Sequence, residues 1–240
     1  MSASGFTAER IVKELAKLGS AGYKRTMLNH GAVEPYFGVK ISELKKYQKK
    51  IKKDYQLAID LYASGIGDAM YLAGLIADED RMTKKDLQRW MKQASWEMIS
   101  DYTVAWVAAE SQFGRELGLE WIDSDDERVA AAGWSTLSSM VAVKPDDELN
   151  LKELEKLIGR VVKTIHASPN RARYTMNGFI IAVGCYVAPL SEKAVAAAEK
   201  IGEVEVDMGD TSCKVPAAAG YIAKVAKMKR IGRKRATARC

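Results

Sequence analysis

The sequence predicts an all-α fold, and three observations carry that reading. Apolar residues recur at helical spacing in one segment after another. Gly, Pro, Ser or Asp punctuates these segments, leaving helices of about ten to eighteen residues joined by short turns. Only Glu203–Val206 alternates like a strand, and it is short.

The elements follow in order. Thr7 caps a first helix through Leu18, with Ile11, Leu15 and Leu18 on one side and Gly19 as the stop. Residues 21–29 form a second helix, and GAVEPYFG (31–38) reads as a loop because Pro35 stands between two glycines. Ser42 is expected to cap a basic helix that carries Lys45, Lys46, Lys49, Lys50, Lys52 and Lys53 around Leu44, Tyr47 and Ile51. Helices at 55–63 and 68–77 come next. Thr83 then opens TKKDLQRWMKQASWEMISDYTVAW, two helices with a break near Ala94–Ser95. Leu87, Trp90, Met91 and Ala94 make the first apolar stripe; Trp96, Ile99, Thr103 and Trp106 restart the pattern. Further helices are expected at 112–122, 126–143, 151–167, 170–187, 192–201 (capped by Ser191) and 217–229. Residues 204–216 read as a connecting loop.

Asp68–Leu75 and Glu127–Trp134 echo one another at an Ala-Gly pair. Small residues inside a helix let a neighbour pack closely, and paired helices repeating along a chain mark HEAT-like solenoids. A compact bundle fits the same helices. Two stretches carry a resemblance that favours the solenoid. FGVKISELKK (37–46) and the Trp96 segment are similar to the AlkD-type DNA alkylation repair proteins, a family of HEAT-like repeat DNA glycosylases. The resemblance covers most of residues 36–190 in architecture. It implies one HEAT-like domain over residues 1–229, an α-α superhelix, followed by a basic tail at 230–240.

In that family a Trp and an Asp four residues apart meet the sugar of a damaged nucleotide. The carboxylate stabilises an oxocarbenium-like sugar as the alkylated base leaves, as carboxylates do in glycoside hydrolysis. Here Trp96 is present, the position four residues on is Ser100, and the carboxylate is Asp101. In a regular α-helix residues four apart lie ~40° apart and residues five apart ~140°, so Trp96, Ser100 and Thr103 share a face that Asp101 leaves. A one-residue π-bulge would bring Asp101 round; without one it is a solvated residue and Trp96 a packing residue. The family's Arg falls among Ala130, Ala131 and Ala132, which Arg128 does not replace, and Cys185 follows Ala182-Val183-Gly184 where a Trp is expected. Base excision, resting on Trp96 and Asp101, is therefore expected to be weak or absent.

For binding, Asn170, Arg173, Tyr174 and Asn177 form a polar stripe at i, i+3, i+4 and i+7, suited to phosphates and base edges. In a solenoid, the second helix of each pair would gather Trp96, Ser100, Trp134, Ser138, Arg173 and Asn177 in one groove. The same stripe serves equally as a buried network tying helices together. From Lys224 on stand eight cations and no acid, including Arg230, Arg233, Lys234 and Arg235. Such a run is a solvated end or a clamp on DNA phosphates.

The charge balance agrees with an anionic partner: 37 Lys and Arg against 31 Asp and Glu give a net +6. The 240 residues suffice to bury one large core. No run of about eighteen apolar residues exists, and the first ten lack a leader pattern, so a membrane partner is not expected. Three scattered cysteines point to reduced thiols in a cytoplasmic protein. Two histidines and no close Cys pair argue against zinc, Asp207 and Asp210 are too few for a calcium loop, and no cofactor motif stands out. The expected partner is duplex DNA held by its backbone. The alternative is a non-catalytic scaffold holding a protein or peptide in its concave groove.

Overall fold

The computed structural model describes residues 5–239, and among them no strand occurs. Contacts divide the chain into two units, the first comprising residues 5–112 with Gly209–Thr211 and Arg239, the second the remainder.

In the first unit the helices are α1 (Ala8–Leu18), α2 (Ala21–Asn29), α3 (Ile41–Ile51), α4 (Tyr55–Ala63), α5 (Gly67–Ile76) and α6 (Lys84–Gln93). A π-helix (Met98–Val104) then runs directly into α7 (Ala105–Glu110). Thr7 caps α1 as its sequence position predicts, its Oγ1 accepting the Arg10 N–H at 3.3 Å. Thr83 and Asp86 close a reciprocal capping box at the start of α6. Ser42 does not cap the basic helix. It lies inside the first turn of α3, where Lys40 is the cap without a side-chain bond.

All ten residues of α5 are buried, and this helix packs against α3, α4 and the π-helix. Its Asp68 is the pin of the unit. One carboxylate oxygen accepts the Phe37 N–H at 2.6 Å and the other the Val39 N–H at 2.7 Å. Burial pushes the Asp68 carboxyl above its ordinary range, while these N–H groups pull the other way. The Gly-Val entry to α3 is thereby explained. Gly38 sits at φ +80, and a Cβ there would lie 2.7 Å from the Lys24 nitrogen.

The second unit holds α8 (Gly114–Trp121), α9 (Glu127–Val143), α10 (Leu151–Thr164), α11 (Asn170–Tyr186), α12 (Ser191–Ile201) and α13 (Ala218–Lys227). Helix α9 packs on α8 and α11, and α11 also packs on α12 and α13. The Ala-Gly echo has a physical basis in both units. A Cβ at Gly74 would lie 2.4 Å from Thr103 Cγ2, and one at Gly133 would lie 2.6 Å from the backbone nitrogen of Ile122. Each glycine marks a place where a neighbouring element touches the helix backbone.

Glu203–Val206 is not a strand but part of an irregular loop, because a lone segment finds no ladder for its N–H and C=O groups. Ser191 is the first residue of α12 rather than its cap. Its hydroxyl donates at 2.7 Å to the Gly184 carbonyl. Among the described residues no single helix is long and apolar enough to cross a bilayer.

The tail beyond α13 is the main correction. A mobile, solvated end is expected from its composition, yet Ala238 and Arg239 are buried. Within the second unit its backbone and side chains satisfy carbonyls left over at helix C-termini. The Gly232 N–H donates to Cys185 at the end of α11, and the Arg235 N–H donates to Ala142 at the end of α9. Lys234 donates to the Val141 carbonyl at 2.9 Å and stands 2.7 Å from the Asp146 carboxylate. Within the first unit the Arg239 guanidinium donates to the Ala77 carbonyl just past α5. It also pairs with Glu79 at 2.6 Å and Glu110 at 3.0 Å. Cys240 lies outside the described residues.

Candidate functional site

The segment after α6 does contain a π-helix, the local distortion that the displacement of Asp101 calls for. The Ala105 N–H reaches back five residues to the Ser100 carbonyl. Thr103 reinforces the wide turn, its hydroxyl donating at 3.1 Å to the Met98 carbonyl, also five residues back. Gly74 opposite gives the Thr103 methyl its room. In such a turn five residues bring the chain roughly back to the same side. Asp101 is therefore not a solvated residue: it is only 2% exposed. The Ser100 hydroxyl donates to the Asp101 carboxylate at 2.8 Å and lies 3.4 Å from the Trp96 carbonyl, so these three residues meet.

They meet inside the protein. Ser100 has no exposed surface and Trp96 is 5% exposed. The Trp96 ring stands edge-on to Tyr36, with centroids 5.9 Å apart, and its Nε1 would lie 3.7 Å from a Cβ at Gly67. The indole N–H finds no acceptor among the described residues. Burial raises the Tyr36 phenol far above its ordinary value, with Asp68 adding to the effect. In this arrangement Trp96 and Asp101 are almost wholly enclosed by the protein, and Ser100 has no exposed surface.

The polar stripe of α11 is divided between two roles. Asn170 grips the loop that follows α12: its Nδ2 donates to the Asp207 carbonyl at 2.9 Å and its Oδ1 accepts the Asp207 N–H at 2.8 Å. Asn177 is 3% exposed and donates to the Pro216 carbonyl at 2.9 Å. Both amides hold a loop, and Asn177 in addition is closed to a phosphate by its burial. Arg173 is half-buried beside Asn170, lining a cavity of about 990 Å³ with Val204, Met208 and Lys214. Tyr174 is half-buried with the Arg171 guanidinium 4.5 Å above its ring. Trp134, 2% exposed, packs on Phe179 and lies under Arg160; it is core, not a DNA platform. Burial pushes the Cys185 thiol up to about 11, which leaves it inert at neutral pH.

What remains open to a partner is cationic. Arg230, Arg233 and Arg235 are exposed, as are Lys224, Lys227 and Lys229 before them. Lys234 is not among them, being half-buried against α9. No carboxylate occurs anywhere in residues 211–240. Two exposed apolar side chains, Tyr221 on α13 and Met228 at its C-cap, are not signalled by the charge of the tail. The signal for them is that Tyr221, Val225 and Met228 continue the apolar stripe of the buried Ala218 and Ile222, and one edge of that stripe runs out into solvent.

Comparison with known proteins agrees with the architecture. The profile of the family described as "DNA alkylation repair enzyme" matches residues 11–239. A solved structure described as "A new family of proteins related to the HEAT-like repeat DNA glycosylases with affinity for branched DNA structures" is 36% identical. It superimposes with a TM-score of 0.90 over 98% of this chain and 100% of that one. Two curated relatives, Lin0241 of Listeria innocua and Lmo0209 of Listeria monocytogenes, are both described as uncharacterized. Each is 32% identical over 91% of this chain and 96% of its own length. The all-α, HEAT-like repeat class expected from the sequence is the class of that solved structure.

Proposed function

This chain belongs to the DNA alkylation repair enzyme family, and from that premise we propose that it binds DNA through the sugar-phosphate backbone and does not excise alkylated bases. The observation that carries the reading is the exposed cationic run Lys224, Lys227, Lys229, Arg230, Arg233 and Arg235, in a segment without a single acid. Side chains of this kind give sequence-independent phosphate contacts. The affinity for branched DNA described for the solved relative supports DNA as the partner and makes branched DNA the first substrate to try.

The absence of excision follows from the chemistry of the π-helix. Cleavage of the N-glycosidic bond is accelerated by negative charge placed against the developing sugar cation. Ser100 supplies a neutral hydroxyl where the family has its carboxylate. Asp101 accepts that hydroxyl and is buried, so its carboxyl group is enclosed by the protein rather than set against a substrate.

The test is binding to a four-way junction, a fork and a linear duplex across a salt series, beside single-turnover release of an alkylated purine. Expected are binding that weakens steeply with salt and no base release. No binding to any DNA at low salt would refute the reading and favour the protein-binding scaffold. Base release by the wild type would refute its non-catalytic half, and loss of that release in Asp101→Asn would assign the chemistry to Asp101.

A further inference from the structure

Helix α13 packs on α11 and α12 along one side. Only Ala218 and Ile222 are buried along it. Ile222 fits a notch in α11, where a Cβ added at Gly184 would lie 2.4 Å from its Cδ1. The loop leading into the helix is held by the Asn177 amide on the Pro216 carbonyl. These anchors fix α13 firmly while leaving its outer face open.

That face has an unusual composition. Tyr221 is 48% exposed and Met228 is 53% exposed, the largest exposures among the big apolar side chains of the described residues. They are seven residues apart, so they lie on one side of the helix with Lys224 and Val225 between them. Lys227, Lys229 and Arg230 flank them, all exposed. Lys229 adopts φ 54, ending the helix and turning the chain so that further cations follow at once.

A flexible polar face would be enough for duplex phosphates, and α3 shows what that looks like. There Lys46 pairs with Glu43, and the one aromatic ring, Tyr47, donates to Glu14 at 2.8 Å. On α13 an aromatic ring and a polarisable thioether stand in water among cations with no acid to neutralise them. An apolar surface inside a positive field fits a partner that is itself both anionic and flat-faced. Single-stranded nucleic acid is such a partner, because bases stack on aromatic side chains while cations follow the backbone. A paired duplex hides those base faces.

Resting on the DNA-binding reading above, we propose that the outer face of α13 is a platform for an unpaired DNA strand, such as a branched or gapped structure offers. Tyr221 and Met228 take the bases; Lys224, Lys227 and Arg230 take the phosphates.

The experiment compares a fork carrying a single-stranded gap, with 2-aminopurine in the gap, against a linear duplex of equal length. The full chain is used as wild type, Tyr221→Ala and Tyr221→Phe, and thermal melting first checks that all three are folded. Tyr221→Ala is expected to lose about tenfold in affinity for the gapped fork while its duplex affinity stays unchanged. Tyr221→Phe keeps the ring and should retain fork affinity, with base stacking read by quenching of 2-aminopurine in wild type and Phe but not Ala. Wild-type binding to DNA with equal losses on both substrates, or with none on either, would overturn the platform and leave the DNA-binding reading standing. No binding of wild type to either DNA, with co-sedimentation on anionic phospholipid vesicles, would overturn both readings and make α13 a membrane-surface helix.

Discussion

The segment around Trp96 and the segment after Tyr221 place their chemistry in opposite ways. The first carries the residues that most resemble a nucleotide-processing site, and it folds them inward: Trp96, Ser100 and Asp101 are all buried, joined by a hydroxyl donated to a carboxylate. The second matches no catalytic pattern, yet it turns an aromatic ring, a thioether and a row of cations outward. On the proposed reading, resemblance at a motif does not locate the binding surface; accessibility does, because a phosphate or a base can respond only to groups it can reach.

The comparison predicts that Trp96 is a structural residue, and the largest effect expected tests this. Trp96→Ala should cost about 3–5 kcal/mol of stability, the usual loss for deleting a buried indole. Urea unfolding would measure it. DNA affinity under conditions where the variant remains folded should be unchanged; a selective loss of DNA binding with intact stability would reverse the assignment.

Arg239 is next, because it is a cation from the basic tail that behaves like the interior. Arg239→Met removes the partner of Glu79 and Glu110, and breaking a buried pair of this kind costs about 3 kcal/mol. The pH dependence gives a second readout. Burial pushes the Glu79 carboxyl up, but Lys53 and Arg239 together hold it below its ordinary value of 4.5. A depressed folded-state pKa contributes stability that is complete above 4.5 and lost as pH falls through the folded value. The variant should therefore be weaker at pH 7 and should lose less than wild type on acidification. Unfolding curves at successive pH values check both. Deleting Arg233–Cys240 should likewise destabilise the protein, which composition alone does not suggest.

On the exposed side, Lys227→Gln, Lys229→Gln and Arg230→Gln combined should leave the melting temperature in place. DNA affinity should fall about tenfold to a hundredfold. The slope of log affinity against log salt should flatten by roughly two to three, since each lost phosphate contact removes about 0.7–0.9. An unchanged slope would show that these cations face solvent only.

The smallest effect belongs to Ser100. Ser100→Ala removes the donor to Asp101 and should cost about 1–2 kcal/mol, the penalty for a buried acceptor losing a partner. Ser100→Asp would set two carboxylates side by side and should cost more, through like-charge repulsion in a buried site. Loss of stability in the second variant without any gain of base release would agree with a site that is enclosed as well as altered.

Local rules determined a great deal of this protein. Helical spacing, Thr7 and Thr83 as caps, and the stops at glycine placed nearly every helix within a residue or two, because those signals act within a single turn of chain. The one-residue displacement of Asp101 raised the possibility of a π-bulge, since only a widened turn reconciles that spacing with a shared face. The Ala-Gly echo foretold close approaches at Gly74 and Gly133 without saying what approaches. Tertiary structure decided the rest. That Asn177 holds the Pro216 carbonyl, that Arg239 sits between Glu79 and Glu110, and that Ile222 fills the space over Gly184 are contacts between residues far apart in sequence. No local pattern encodes them. Burial is a property of what packs on a residue, not of the residue itself, and burial is what turned a motif inward and left α13 to meet the solvent.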